Sequence, residues 1–168
     1  GKGGGGGFAP EMVRQDFPDT AFWDPVVRTG ADGRARVTVE LPDNLTTWRM
    51  RGQAVTADTK VGKAQADIVT NLDVLVRPVT PRFMVIGDRP VLGAVLHNNT
   101  DEDLTMRVRL EAEGVTVGQG EQTLQVPAHG RGTVNWPCQV GKGLEAVLAF
   151  SVRAGAYSDA VQLRLPVY

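Results

Sequence analysis

Short extended runs punctuated by turn residues recur through the second half of the chain, and nowhere is there a long stretch with helical periodicity. Candidate strands fall at residues 82–86, 91–98, 104–111, 121–126, 132–139, 144–152 and 160–167. Between them lie Gly87-Asp88-Arg89-Pro90, residues 98–103, Gly118 to Gly120, Pro127 to Gly130, Gly141 to Gly143 and Ala154-Gly155. Seven strands at this spacing predict an antiparallel β-sandwich. The first half carries the same grammar. Asp32-Gly33 supplies the positive-φ positions of a tight turn between residues 26–29 and 34–41. Past that turn Ala35, Val37, Val39 and Leu41 alternate with polar residues, a period of two with one face inward. Residues 48–57 put Trp48, Met50, Gly52 and Ala54 on one face, with Gly52 read as a bulge or a close backbone approach, and residues 62–70 alternate through Ala64, Ala66 and Ile68.

Between the two runs of the first half lies Leu41-Pro42-Asp43-Asn44-Leu45-Thr46-Thr47-Trp48. Pro42 ends a strand, and Asp43 and Asn44 bond their own backbone in turns. Leu45 and Trp48 stand three apart, the spacing of one helical turn, so the corner reads as a hydrophobic plug in which Trp48 buries on the order of 200 Å². Arg77-Pro78-Val79-Thr80-Pro81 is the expected domain boundary, because two prolines stiffen a crossing and bar it from a central strand. Residues 72–76 just before it suit either side. The expected organisation is a flexible Gly-rich tether at 1–11, a first domain at 12–76 and a second at 77–168. The first half holds too few strands for a closed sandwich and leaves an edge open.

Composition narrows the functional classes. The net charge is −1 with both signs scattered, which gives no footprint for nucleic acid. No apolar run approaches the ~20 residues that span a bilayer, so no membrane contact is expected of this segment. Cys138 is the sole cysteine, which excludes an internal disulfide. His97 and His129 have no ligand partners at metal-binding spacing, and Asp101-Glu102-Asp103 lacks the alternating ligands of a calcium loop. Both histidines read as turn residues, and the acidic run as a solvated loop. Asn44 and Asn98 each begin a glycosylation triplet. There is no Ser/His/Asp constellation or phosphate-cradling loop; the chain is read as non-enzymatic, with no metal and no cofactor.

Phe17-Pro18-Asp19-Thr20-Ala21-Phe22-Trp23 and Pro42-Asp43-Asn44-Leu45-Thr46-Thr47-Trp48 together resemble the signature of the alpha-2-macroglobulin family, in the family's order and spacing. Phe17, Pro18, Asp19, Thr20 and Trp23 form the first half of the motif, and Pro42, Asp43, Leu45, Thr46 and Trp48 the second. The resemblance implies an all-β chain of two macroglobulin-like sandwiches in tandem, of the fibronectin or immunoglobulin kind, the first incomplete because the family inserts its protease-cut bait region within that domain. It further implies a framework module of a broad-range endopeptidase inhibitor that traps proteases after bait cleavage, with Phe17, Trp23 and Trp48 as the rigid anchor. Partners would be the other domains of the parent chain and, through it, target endopeptidases. The disulfide-free composition is closer to bacterial members, implying an extracytoplasmic place: periplasmic, membrane-anchored through the parent, or secreted. The family's thioester needs Cys followed within a few residues by Glu-Gln. Cys138 is followed by Gln139-Val140, so it reads instead as a small buried hydrophobe on a strand with Trp136. The rival class is a ligand-binding β-sandwich of a cell-surface adhesin, which would present Trp136 and Tyr157 as an exposed aromatic platform.

Overall fold

The computed structural model describes residues 13–168; the glycine-rich tether expected at 1–11 lies outside them. The described chain is all-β, with ten strands and no helix. It divides into two compact units, Asp16–Asn71 and a larger one of Leu72–Tyr168 with residues 13–15.

In the larger unit, Val74–Val79 (β3), Val91–Asn98 (β4), Arg131–Val140 (β8) and the short Val115–Val117 (β6) form one sheet in the order β3-β4-β8-β6. Tyr157–Pro166 (β10), Glu145–Ala154 (β9), Leu104–Glu113 (β5) and Glu121–Val126 (β7) form the other, in that order. All named pairs are antiparallel, an immunoglobulin-like sandwich order. The alternation in sequence is cashed out residue by residue. On β8, Val134, Trp136, Cys138 and Val140 turn inward while their neighbours face water. On β9, Ala146, Leu148, Phe150, Val152 and Ala154 do the same from the opposite sheet. Trp136 and Phe150 meet edge-to-face with centroids 5.8 Å apart, and the indole Nε1 donates to Gly120 O at 3.1 Å.

Two expectations need correction here, and one strand is unforeseen. Residues 77–81 are not the boundary, because β3 runs through Arg77 and Pro78 and pairs with β4. Pro78 is tolerated since β3 is an edge strand, where a missing N–H costs no ladder bond. Residues 82–86 do not form a strand; they bend at 82–83 and turn at 86, and meet the chain just past β10 through a parallel bridge of Met84 to Val167. The short β6 was not expected. It arises where Gly114, at φ +76°, kinks the chain after β5 and carries it to the other sheet. A Cβ on Gly114 would lie 2.6 Å from Glu145 O, so the kink requires glycine.

In the smaller unit, Thr47–Val55 (β1) pairs with Val61–Val69 (β2) as a two-stranded antiparallel ribbon. Gly52 stands opposite Ala64 in an unbroken ladder, so there is no bulge. A turn forms at residues 30–33, with the Gly33 N–H bonded to Gly30 O at 2.9 Å, but only Gly33, at φ +73°, takes the expected positive φ; Asp32 does not. The arms around it do not pair as strands. Alternation alone supplies no partner: Val37 is exposed, and nothing in residues 16–71 forms a second layer against it. None of the fully buried hydrophobic residues belongs to this unit.

Two predictions follow from the sandwich. Trp136→Ala removes the largest buried side chain and one of the two hydrogen bonds to Gly120 O, which keeps the Leu110 N–H, and should cost about 3–5 kcal/mol in urea unfolding followed by circular dichroism. Half-buried His97 stands directly across from Arg131 on β8. Burial pushes its imidazole below the ordinary value of 6.5, and Arg77 and Arg131 push the same way. The folded state resists protonation, so the stability His97 contributes above pH 6.5 is lost as pH falls through its folded value. An NMR titration should find a midpoint below 6.5, raised by Arg131→Gln.

Candidate functional site

The two tryptophan-bearing motifs converge in the smaller unit. Asp43 N–H donates to Asp16 O at 3.0 Å, and Asp16 N–H donates back to the Asp43 carboxylate at 3.0 Å. Asn44 Nδ2 reaches Pro18 O at 3.4 Å. Asp43 therefore uses its side chain across the motifs rather than only on its own turn. The corner is not a helical turn; Trp48 already belongs to β1, and Leu45 precedes it in irregular chain.

Thr70, the residue after β2, stitches this corner closed. Its Oγ1 donates to Asn44 O at 2.7 Å and accepts from Thr46 N–H at 3.2 Å, while its own N–H donates to Thr46 O at 2.9 Å. The one signal for Thr70 in sequence was its place at the end of a strand with hairpin spacing from the corner.

Register sorts the ribbon into two unlike faces. Trp48, Met50, Gly52 and Ala54 stand opposite Ile68, Ala66, Ala64 and Gly62, so one face is wholly apolar. The other carries Arg49, Arg51 and Gln53 opposite Asp67, Gln65 and Lys63. Arg49 grips Asp67 with two hydrogen bonds of 3.1 Å each, which holds the Asp67 carboxyl below its ordinary range. The apolar face, flanked by residues 18–22 and 37–41, opens as a cleft of about 820 Å³. Its lining holds no histidine or cysteine; Asp19, Arg49 and Arg51 are its charged members. Trp48 Nε1 and Asn44 Oδ1 are buried there without a hydrogen-bond partner among the described residues.

The motif residues fare unevenly. Pro18, Pro42, Asp43, Leu45 and Trp48 are half-buried; Phe17, Asp19, Thr20 and Thr46 are exposed. Trp23, expected to be part of a rigid anchor, is 81% exposed. An indole buries only against a second layer, and residues 16–71 do not build one. Trp136 is 1% exposed, so the aromatic platform required of an adhesin module does not exist.

Elsewhere the candidate chemistry is structural. Asn98 is fully buried, its Nδ2 donating to the carbonyls of Glu102, Val126 and Pro127, which leaves no amide open to glycosylation. His129, left-handed at φ 53°, meets Asp101 at 2.8 Å on the surface. No group of three metal-ligating side chains occurs among the described residues. Cys138 is buried; desolvation pushes its thiol up, and the Leu92 backbone opposes this weakly.

The family model described as "Alpha-2-macroglobulin family" matches residues 20–110, more than half of the chain, spanning the second motif and the end of the first from Thr20. The chain belongs to the alpha-2-macroglobulin family. An alpha-2-macroglobulin homolog of Nostoc sp. is 36% identical over 118 residues, covering 68% of this chain and 6% of the relative. The alpha-2-macroglobulin of Ralstonia nicotianae is 36% identical over 113 residues, covering 65% of this chain and 7% of the relative. The chain thus spans a small fraction of these curated alpha-2-macroglobulins. Among solved structures, trypsin-activated alpha-2-macroglobulin from Escherichia coli superposes with a TM-score of 0.74 at 23% identity, covering 84% of this chain and 10% of that one. The same organism's alpha-2-macroglobulin activated by porcine elastase gives 0.73 at 22% identity, covering 96% and 16%. At those identities the likeness speaks for the fold, which is that of macroglobulin-like β-sandwich domains.

Thr70→Val keeps shape but removes the hydroxyl, and should weaken the corner by about 1 kcal/mol. Amide exchange at Thr46 should rise severalfold while exchange at Phe150 in the sandwich stays unchanged.

Proposed function

We propose that this chain is a non-catalytic framework segment of a broad-range endopeptidase inhibitor that traps proteases after its bait region is cut. Residues 16–71 are the downstream half of the bait-bearing macroglobulin-like domain, and residues 72–168 the macroglobulin-like domain that follows. The ribbon supports this reading: it joins both signature motifs yet leaves one apolar face uncovered, with no buried hydrophobic residue in its unit. An amphipathic sheet of that kind requires a second layer, and strands from upstream of the bait would supply it. Trp23 and the two orphaned polar atoms, Trp48 Nε1 and Asn44 Oδ1, would find their neighbours in the same layer.

In this reading the segment does no covalent chemistry. It holds the chain just after the cut and passes a change of shape between packed domains, a bistable packing device rather than an active site. Its partners are the other domains of the parent and, through them, endopeptidases; the solved relatives activated by trypsin and elastase belong to that class. The parent works outside the cytoplasm, in the periplasm, at a membrane anchor, or secreted.

The test uses the full-length inhibitor. Met50→Glu with Ala66→Glu places two charges on the apolar face, and Gln53→Glu with Gln65→Glu places two on the polar face. After incubation with trypsin, the apolar-face variant should leave cleavage of a large protein substrate unprotected by at least about tenfold relative to the parent, since a buried unpaired charge abolishes packing. The polar-face variant should protect like the parent. Equal protection by both variants would overturn the reading.

A further inference from the structure

Residues 13–15 lie along the free edge of β10, apart from the ribbon that follows them in sequence. Arg14 N–H donates to Ala160 O at 2.8 Å, and Gln162 N–H donates to Arg14 O at 2.9 Å, a parallel strand pairing centred on Val161. The Arg14 side chain then turns into the gap between the edge strands of the two sheets. Its Nε and Nη2 donate to the two Asp159 oxygens at 2.8 and 2.7 Å, and Nη2 also donates to Val76 O at 3.0 Å on β3. Asp159 Oδ2 in turn accepts from Val76 N–H at 2.9 Å. The Arg14 side chain is 12% exposed and that of Asp159 2%. The carboxylate sits on the sandwich and the guanidinium arrives from outside it.

We propose that the β10 edge with Asp159 is an arginine-reading strand-docking site, and that residues 13–15 of this chain occupy it in cis. The backbone pair reads an extended peptide irrespective of its sequence, as in strand addition to a sheet edge. The planar fork reads arginine: it satisfies both carboxylate oxygens and a carbonyl at once, which an ammonium cannot do with the same geometry. Val13 and Gln15 are exposed, so recognition centres on Arg14. Asp159, buried and held by Val76, is a docking group preorganised before the peptide arrives. Among the described residues one bridge, Arg14 to Val161, joins the strap to the edge, and when the strap is off, the site takes an extended arginine-bearing peptide from another molecule. This inference does not depend on the protease-trap reading, because it concerns only residues 13–15 and the sandwich.

Amide exchange on the full chain tests it. In Arg14→Ala, exchange at Gln162 should accelerate at least about tenfold, while Phe150 and Leu92 stay as protected as in the parent. Adding the free peptide Met-Val-Arg-Gln-Asp at millimolar concentration should restore protection at Gln162, and the same peptide with Lys for Arg should do so at least about tenfold less tightly. Asp159→Asn should show fast exchange at Gln162 that neither peptide reverses. Should Arg14→Ala loosen the core, seen as faster exchange at Phe150, Arg14→Lys carries the same comparison with charge retained. Unchanged protection at Gln162 in both Arg14 variants, no effect of the arginine peptide, or equal effects of the two peptides would overturn the proposal.

Discussion

The contact of Trp136 with Phe150 lies between the two sheets of the sandwich, and each is the largest side chain its sheet buries. A sheet face gains free energy only when something covers it; each of these rings covers the other's sheet. Around that pair, Leu92, Leu96, Met106, Leu148 and the valines of both sheets close the interior. The polar atoms carried inside are all answered: Trp136 Nε1 by Gly120 O, the Asn98 amide by three carbonyls, Asp159 by Arg14 and Val76. Burial and hydrogen bonding agree throughout, the mark of a unit that specifies one structure.

The ribbon obeys the same constraint and shows what happens when half of it is unmet. Its register separates an apolar face from a charged one as cleanly as any strand of the sandwich. Among the described residues no second layer stands against the apolar face, so Met50 and Ile68 remain exposed, Trp48 is only half covered, and two polar atoms near it find no partner there. The hydrogen bonds of the corner are formed all the same. Asp16 to Asp43, Pro18 to Asn44, and Thr70 to Asn44 and Thr46 hold the two motifs together by local geometry. Backbone pairing across a corner requires nearby chain; burial requires a surface. That difference explains why the signature motifs are assembled while the tryptophan of the first remains in water.

The proposed framework role rests on an open sheet face, and the proposed docking role on a sheet edge. A strand edge with open N–H and C=O groups attracts pairing, and proteins cover such edges. On β10 the centre is covered by residues 13–15 and the end by Met84. The ion pair of Arg14 with Asp159 turns ordinary edge protection into selective recognition, because a buried carboxylate tolerates few substitutes for its partner.

Much of this was legible in the residues alone. The all-β class, the strands β1, β2, β4, β5 and β7 to β10 and the order of the two motifs follow from period-two alternation, turn chemistry and motif spacing, which act over a few residues. Other features were decided by the tertiary structure. Pro78 lies in a strand because that strand is at an edge; residues 34–41 stay unpaired because no neighbour is offered; and β6 exists because Gly114 bends the chain toward the other sheet. Thr70 reaches Asn44 across 26 residues, and Arg14 reaches Asp159 across 145. Local pattern says which face of a strand is apolar. Only the folded chain says what, if anything, covers it, since burial belongs to pairs of surfaces brought together from distant sequence.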